Sequence, residues 1–466
     1  MSNNTFLPEK FLARMERLLG DAYNPFLEAT AQKAVRAMRV NSIKRMSAEK
    51  LSLYFDKLDW LSYAKDGAIF DMEHIGRHPL HHAGAFYVQD PGAMATVHAA
   101  PVRKGWRVAD FCAAPGGKSS QLASYIGDEG VLVSNEIDGA RCKVLTGNFE
   151  RLGVSNSIVT NTDSATLAKW YPSYFDLVLV DAPCSGEGMF RKYDYAGDEW
   201  SEENVLGCAA RQKEILSNAA KTVRPDGFLL YSTCTFSVEE NEMTVDAFLT
   251  HHPEFSVCSV NEALVLVTQA GVSFDGCEHL SDIPKMRRFY PHVSKGEGQF
   301  ICLMKRKGET ENEEKGIPDF SVFPKREEAA CASTFLRDTL EDADGLLARY
   351  ALIKHKNYLV LKRKDIPLPP EHVYMAGVTL GEVVKGRLEP HHQFFSVFGH
   401  LCKRRMELDA QGTEVLRYLR GETLPCNLPN GYGAVTVCGC PLGGIKVTQG
   451  VAKNHYPKGL RLKGDL

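Results

Sequence analysis

Two cysteines stand in short polar segments that directly follow apolar runs. Cys184 comes three residues after Asp181, at the end of the run at 177–180, and Cys234 follows the run at 228–231. Such runs are typical of buried parallel strands, whose carboxyl ends meet at one edge of a sheet. The two thiols and the carboxylate are therefore predicted to share a cleft. Because a thiolate is a nucleophile, this pattern indicates covalent catalysis, but it leaves open which cysteine attacks.

A glycine-containing turn, FCAAPGGKSSQLA at 111–123, follows a predicted strand and opens a predicted helix. Gly116 and Gly117 permit a tight turn and a close approach of the backbone to a ligand, and the first turn of the helix offers unpaired N–H groups. The segment therefore predicts a nucleotide-binding turn. It has neither GxGxxG nor the Walker spacing, which disfavours dinucleotide and triphosphate ligands. Lys118 is placed to contact a ligand carboxylate or phosphate, and an ordinary surface lysine is the alternative.

Acidic residues follow the next predicted strands. Glu136 lies 20 residues after Gly116, a position from which a carboxylate can accept both hydroxyls of a ribose. Asp163 follows the third strand, where an adenine contact is expected. Each acid alone has a helix cap or a surface group as its alternative. Together with Asp181 they place three acids at successive strand ends, which favours a ligand site.

Short apolar or β-branched runs alternate with helical patterns through the middle of the chain. The runs lie at 108–111, 131–134, 157–160, 177–180, 228–231 and 300–304. The helical patterns lie at 119–125, 140–151 and 204–223. This alternation predicts an α/β fold with a doubly wound, mostly parallel sheet and helices on both faces.

The pattern of the N-terminal region predicts helices. Apolar residues recur at helical spacing from Leu7 to Leu19, and Asn24 marks the start of a second helix predicted to run to about Met38. A basic segment on and after this helix contains Lys33, Arg36, Arg39, Lys44 and Arg45. The segment is either a solvated helix face or a phosphate-contacting patch.

The C-terminal part has a different composition. Residues 307–319 are polar and charged, as expected of a linker. From Gly431 the chain is rich in glycine and β-branched residues, which predicts a small β-rich module. Its last residues include the basic side chains Lys446, Lys453, Lys458, Arg461 and Lys463.

The composition is that of a soluble globular protein of two or three domains. The chain has 466 residues and a formal net charge of -3, which argues against binding nucleic acid through bulk charge alone. No secretory signal or membrane span is recognisable, so a cytoplasmic location is expected. The thirteen cysteines have no regular spacing and are expected to be reduced, most of them as small buried apolar residues. No metal site is predicted from the lone CGC at 438–440 or from the histidines at 78–82.

Four motifs of the chain together carry a resemblance to a known family. The motifs that carry it are CAAPGGK at 112–118, DAPCSGEGMFRK at 181–192, STCTFSVEENE at 232–242 and PHVSKGEGQF at 291–300. With them, the chain resembles the Sun/Fmu group of S-adenosylmethionine-dependent RNA 5-methylcytosine methyltransferases and, within it, the type-F methyltransferases of the small ribosomal subunit. Flanking similarity lies in RVNSIK at 39–44, in YVQDPGAM at 87–94 and in a PUA-like C-terminal segment.

The resemblance implies S-adenosylmethionine as cofactor and assigns residues to it. The methionine end would be bound by Cys112, Ala113, Ala114, Pro115, Gly116, Gly117 and Lys118. Glu136 would hold the ribose, Asp163 the adenine, and Asp181 would lie beside both the cofactor and the cytosine ring. The resemblance also makes Cys234 the nucleophile and Cys184 the residue needed to release the product.

The resemblance further implies a domain organisation and a partner. A seven-stranded Rossmann-like methyltransferase domain at 91–306 would follow an RNA-binding, helical N-terminal domain at 1–90. The linker at 307–319 would lead to a C-terminal region at 320–466 that ends in a PUA-like RNA-binding module from about 390. The expected partner is 16S rRNA or the small ribosomal subunit, bound by a monomer through Arg36, Arg39, Lys44, Lys453 and Lys458.

Three other functions are alternatives to this interpretation. A methyltransferase of exocyclic amino groups needs a Pro-Pro-aromatic segment where this chain has Pro183 and Cys184, so this class is disfavoured. A transfer RNA 5-methylcytosine methyltransferase stays open. A non-catalytic RNA-binding assembly factor also stays open, although both cysteines are present.

Overall fold

The structure, a computed structural model, describes residues 7–192, 197, 200–308 and 316–463. The predicted linker falls partly outside these residues. The helices are α1 Glu9–Leu19, α2 Tyr23–Thr30, α3 Ala48–Ser52, α4 Pro79–His82, α5 Pro91–His98, α6 Gly117–Ile126, α7 Gly139–Leu152, α8 Ser164–Trp170, α9 Glu202–Ala220, α10 Glu242–His251, α11 Glu262–Val265, α12 Arg326–Thr339, α13 Ala343–Arg349, α14 His392–Phe398 and α15 Thr413–Arg420. None of the helices in this part of the chain is long and apolar enough to cross a membrane.

The strands form four sheets. They are β1 Ala37–Val40, β2 Leu58–Leu61, β3 Ala64–Phe70, β4 Phe86–Val88, β5 Arg107–Asp110, β6 Val131–Asn135, β7 Ser157–Thr160, β8 Phe175–Asp181, β9 Val223–Thr233, β10 Phe255–Cys258, β11 Gln269–Ala270, β12 Arg287–Phe289, β13 Gln299–Arg306, β14 Tyr350–His355, β15 Tyr358–Arg363, β16 Val373–Met375, β17 Val378–Val384, β18 Arg387–Pro390, β19 Arg405–Leu408, β20 Leu424–Pro425, β21 Gly431–Val437, β22 Cys440–Thr448 and β23 Val451–Asn454.

The central sheet is the Rossmann-like sheet predicted from the alternating pattern. Its order is β11-β12-β13-β9-β8-β5-β6-β7-β16, and β10 pairs with β13. Among strands β5 to β9, every pair of neighbouring strands is parallel. Strand β13 is antiparallel to β9. All of β8 except its last residue is buried, as expected for a strand covered by helices on both faces. The fold-class prediction is confirmed, and additional edge strands bring the total to ten.

The N-terminal region is helical only in part. The second helix ends at Thr30, and residues 37–40 form a strand of a four-stranded antiparallel sheet, ordered β2-β3-β1-β4. The prediction of a helix up to Met38 is therefore wrong beyond Thr30. Met38 is fully buried, because this strand packs inside the molecule and does not present one face to solvent.

The C-terminal region contains two further sheets. Strands β14, β15, β17 and β18 form one, and β19 to β23 form the other, which is the β-rich module expected from the tail. Strand β16 does not join them and extends the central sheet next to β7. The N-terminal and C-terminal modules share one apolar core, in which Met38 and Phe86 pack with Val435 and Ile445.

Candidate active site

The two predicted cysteines meet at the carboxyl edge of the central sheet. Cys184 follows β8, Cys234 follows β9, and their Sγ atoms lie 3.2 Å apart. The two loops also touch through the backbone, because the N–H of Gly188 donates to the carbonyl of Cys234 over 2.9 Å. A Cβ on Gly188 would lie only 2.8 Å from that oxygen, so the close approach requires glycine.

The surroundings of Cys184 favour its protonated form. The hydrogen bond with Cys234, together with burial, raises the pKa of Cys184 well above its usual range. A thiol whose pKa is raised forms the thiolate less readily, so Cys184 is poorly suited to be the attacking nucleophile.

Asp181 links the glycine turn to the cysteines. Its Oδ2 accepts from Lys118 Nζ over 2.8 Å, and its Oδ1 accepts from Ser232 Oγ over 2.6 Å. Burial alone would lower the pKa of Lys118, but the Asp181 carboxylate outweighs it and raises that pKa. Lys118 is thus a paired, largely buried ammonium group, and the alternative of an ordinary surface lysine is wrong.

Two buried carboxyl groups hold the cysteine loops together. Glu240 accepts hydrogen bonds from Ser185 N over 2.9 Å, from Ser185 Oγ, and from Gln212 Nε2 over 2.9 Å. Glu187 accepts from Thr235 Oγ1 over 2.9 Å, and Ser185 Oγ lies 2.9 Å from the same Thr235 oxygen. Burial, with the nearby Glu240, raises the pKa of Glu187 to about 7. These contacts fix the relative position of the two thiols.

A cavity of about 360 Å³ lies beside this site. From the part of the chain that forms the central sheet it is lined by Asp110, Cys112, Ala113, Ala114, Pro115, Gly117, Lys118, Asp181, Met189 and Lys192. From the N-terminal module it is lined by residues that include Arg36, Tyr87, Gln89 and Asp90. Helix α6 begins beside it, and the residue at its N-cap position, Gly116, has a φ of 108° and provides no side-chain cap. Its first N–H groups are therefore available to a ligand.

The two acids predicted to hold the ribose and adenine lie outside the residues that line this cavity. Glu136 is buried, and its Oε2 lies 3.2 Å from Arg141 Nη1. Asp163 is exposed and caps α8, where Thr166 donates to both of its oxygens over 2.8 Å. These hydrogen bonds lower the pKa of Asp163. The helix-cap alternative thus describes Asp163 in this structure.

Asp110 and Gln89 are among the lining residues that were not predicted from the sequence. Asp110 is buried at the end of β5, and burial raises its pKa to about 7. Its position directly before the glycine turn was a usable signal, because polar residues at the carboxyl ends of such strands face the ligand. Gln89 lies within the segment at 87–94 that carries part of the resemblance, but its place at the cavity was not predicted, because it follows a strand of another sheet.

The basic residues predicted to contact RNA divide into buried and exposed ones. Arg39 is 1% exposed, and Lys44 is 2% exposed, with its Nζ bonded to Ser396 and Pro441. The RNA-contact prediction is wrong for these two, because both side chains are used inside the protein. Arg36 is half-buried, with Nη1 donating to the carbonyl of Met72. The remaining two predicted contacts, Lys453 and Lys458, are exposed.

Three segments of the chain match models of known protein families. A family model described as 16S rRNA methyltransferase RsmB/F matches residues 98–305. Models for the N-terminal domain of 16S rRNA methyltransferase RsmF and for the methyltransferase RsmF PUA domain match 7–91 and 405–462. Ribosomal RNA small subunit methyltransferase F of Vibrio vulnificus (strain YJ016) is 32% identical over 355 residues, 74% of this chain and 73% of that protein. The chain belongs to the RsmB/F methyltransferase family.

The RsmB/F similarity extends along the whole chain. The protein named ribosomal RNA small subunit methyltransferase F in Klebsiella pneumoniae (strain 342) is 30% identical over 491 residues, covering 100% of this chain and 98% of that protein. A solved structure of a methyltransferase homologue from Pyrococcus horikoshii is 26% identical, with a TM-score of 0.57, over 65% of this chain and 96% of that chain. The family resemblance predicted from the motifs is confirmed, and both cysteines lie within the RsmB/F segment.

Proposed function

We propose that this methyltransferase uses S-adenosylmethionine to form 5-methylcytosine in 16S rRNA, with Cys234 as nucleophile and Cys184 as the residue that permits release. The observation that carries the proposal is the pair of Sγ atoms 3.2 Å apart, with Asp181 and the cavity beside them. The family models, which are described as 16S rRNA methyltransferases, and the relatives, which are named for small-subunit ribosomal RNA, support 16S rRNA as the substrate.

The chemistry explains why two thiols are needed. Carbon 5 of cytosine is a weak nucleophile, so the Cys234 thiolate first adds to carbon 6 and transfers electron density to carbon 5. Asp181 is assigned to the ring near N3, where charge develops. The cofactor supplies the electrophilic methyl group that carbon 5 takes up.

Release of the product then requires two proton movements. The proton on carbon 5 passes to the Cys184 sulfur, while the proton already on Cys184 passes to the departing Cys234 sulfur. The bond between carbon 6 and Cys234 breaks, and the double bond between carbons 5 and 6 forms again. The hydrogen bond between the two sulfurs provides the path for the second proton.

The cavity fits the proposed cofactor in the character of its lining. The uncapped start of α6 suits a carboxylate, and the carboxylates of Asp110 and Asp181 suit an ammonium group. Glu136 and Asp163 remain the proposed ribose and adenine contacts at the adjacent strand ends. Asp163 would have to exchange its helix-cap bonds for such a contact.

The C-terminal module offers a surface for the RNA backbone. Lys446 and Lys453 lie directly opposite each other on β22 and β23, and both are exposed. Like charges in this position destabilise a strand pair unless an anion compensates them. Lys446 Nζ also lies 4.8 Å from the ring centre of Tyr432, a combination suited to a phosphate beside a stacked base.

The substrate is tested by mapping 5-methylcytosine in ribosomal and transfer RNA from cells with and without the protein. In cells that lack the protein, we expect one or more 16S rRNA positions to lose 5-methylcytosine. Expression of the wild-type protein should restore the methylation, whereas Cys234→Ala should not. Loss confined to transfer RNA would favour the alternative substrate. No change in any RNA would favour the assembly-factor function.

A further inference from the structure

The side-chain amide of Gln89 has an unused donor at the wall of the cofactor cavity. Gln89 lies just after β4, lines the cavity and is 7% exposed. Its Oε1 accepts a hydrogen bond from Arg39 Nε over 3.0 Å, whereas its Nε2 is buried without a partner in the described structure. A buried N–H group without an acceptor costs free energy. Because this unpaired N–H group lies at a cavity wall, we infer that a bound ligand supplies its acceptor.

The orientation of this amide is fixed by Arg39. A guanidinium group only donates hydrogen bonds, so the atom of Gln89 that faces Arg39 Nε must be the oxygen. Arg39 is itself held, since its Nη2 donates to Ser120 Oγ over 2.8 Å and to the carbonyl of Gly117 over 3.3 Å. The Gln89 NH₂ group therefore faces away from Arg39. It packs on the glycine turn, where a Cβ on Gly117 would lie 3.4 Å from Nε2.

The surroundings indicate an anionic acceptor. The uncapped start of α6 at Gly116 presents backbone N–H groups and the positive end of the helix dipole next to this amide. The buried guanidinium of Arg39 adds positive charge behind it. Lys118 is already paired with Asp181, so it does not supply the cation for a second anion here.

We propose that Gln89 donates a hydrogen bond to the α-carboxylate of the cofactor's methionine end, and that Arg39 is the residue that positions Gln89. This inference rests on the proposed use of S-adenosylmethionine. It gives the N-terminal module a part in cofactor binding, which is separate from any contact with RNA. It also explains why Arg39 is buried in a segment whose charge pattern predicts an RNA contact.

The test compares two ligands that differ only in the carboxylate. S-adenosylhomocysteine and its decarboxylated analogue are titrated calorimetrically into the wild-type protein, Gln89→Ala and the closely isosteric Gln89→Met. We expect both variants to bind S-adenosylhomocysteine about 10- to 100-fold more weakly, the size expected for one hydrogen bond to a charged group. The decarboxylated analogue should bind them as it binds the wild type. Gln32→Met, at an exposed glutamine of the same module, is the matched control.

The outcomes separate this inference from the proposed function. Equal weakening for both ligands, or no weakening, would overturn the role of Gln89. Failure of the wild-type protein to bind S-adenosylhomocysteine would instead overturn the proposed cofactor. Arg39→Lys, which loses the Nε donor but keeps a charge, should reproduce the selective loss in part. Its affinity for RNA should equal that of the wild type, and a large loss of RNA affinity would contradict a positioning role.

Discussion

The two cysteines proposed to act in catalysis share one hydrogen bond between their sulfur atoms. Both follow parallel strands and both are half-buried, so sequence pattern alone treats them as equivalent. The structure distinguishes Cys184, because the hydrogen bond with Cys234 and burial raise its pKa and favour its protonated form. The carboxyls of Glu187 and Glu240 maintain that geometry, a role that was not predicted although both residues lie within the motifs at 181–192 and 232–242.

Asp110 should make cofactor affinity depend on pH. Burial raises its pKa to about 7 in the free protein, and an ammonium group of the bound ligand favours the ionised carboxylate. Binding therefore releases a proton, and affinity for S-adenosylhomocysteine should rise by up to about tenfold between pH ~6 and pH ~8. Calorimetry across this range measures it. Asp110→Asn should bind with nearly constant affinity, and an unchanged slope in that variant would contradict the assignment.

At the scale of elements, the start of α6 depends on a glycine. Gly116 has φ of 108°, and a Cβ there would lie 2.9 Å from Leu145 Cδ1. Gly116→Ala should lower the free energy of unfolding by about 1–2 kcal/mol and weaken S-adenosylhomocysteine binding about tenfold, because the helix start must shift. Urea unfolding and calorimetry measure the two effects.

Gly147 provides the matched control for this substitution. It lies within α7, and a Cβ there would meet no atom within 4 Å. Gly147→Ala should therefore keep ligand affinity and stabilise the protein by about 0.5–1 kcal/mol. If the two substitutions changed stability and ligand affinity equally, the conformation of Gly116 would not be the cause of either effect.

Elements with strong local patterns were predictable from sequence. The apolar runs at 131–134 and 177–180 are strands within two residues of the predicted limits, because a buried parallel strand needs a continuous apolar segment. The segment at 37–40 was not predictable. Its alanine, methionine and arginine suit a helix, and only pairing with distant strands β3 and β4 makes it a strand.

At the scale of the whole molecule, the flanking modules form one body with the catalytic domain. Lys44 Nζ, from the N-terminal module, donates to the carbonyl of Pro441 over 2.8 Å and to Ser396 Oγ over 3.0 Å in the C-terminal region. Ser396 Oγ in turn donates to the carbonyl of Glu150 on α7 over 2.6 Å. Such contacts between distant segments have no sequence signature. For this reason the basic pattern of the N-terminal segment predicted an RNA contact for Lys44, which is buried in the structure.

RNA binding should depend on the exposed lysines of the C-terminal module. Lys453→Gln and Lys458→Gln should each weaken binding to 16S rRNA fragments, because each removes one phosphate contact. The slope of log affinity against log salt should fall by about 1 for each substitution. Filter binding over a salt series measures this slope.

The control is an exposed lysine at the edge of the central sheet that lies opposite the two cysteines. Lys104 precedes β5, at the amino ends of the parallel strands. Lys104→Gln should leave affinity and slope unchanged. If it lowered both as much as Lys453→Gln does, the C-terminal surface would have no special role.

The central claim, covalent catalysis with divided roles for the two thiols, is tested by trapping the adduct. Wild type, Cys184→Ala, Cys234→Ala and the control Cys258→Ala on strand β10 are incubated with labelled cofactor and RNA from cells lacking the protein. They are then separated under denaturing conditions. The account predicts a denaturant-resistant protein–RNA adduct with Cys184→Ala, neither adduct nor methylated RNA with Cys234→Ala, and normal product with Cys258→Ala. Release of methylated RNA by Cys184→Ala at the wild-type rate, or an adduct formed by Cys234→Ala, would contradict it.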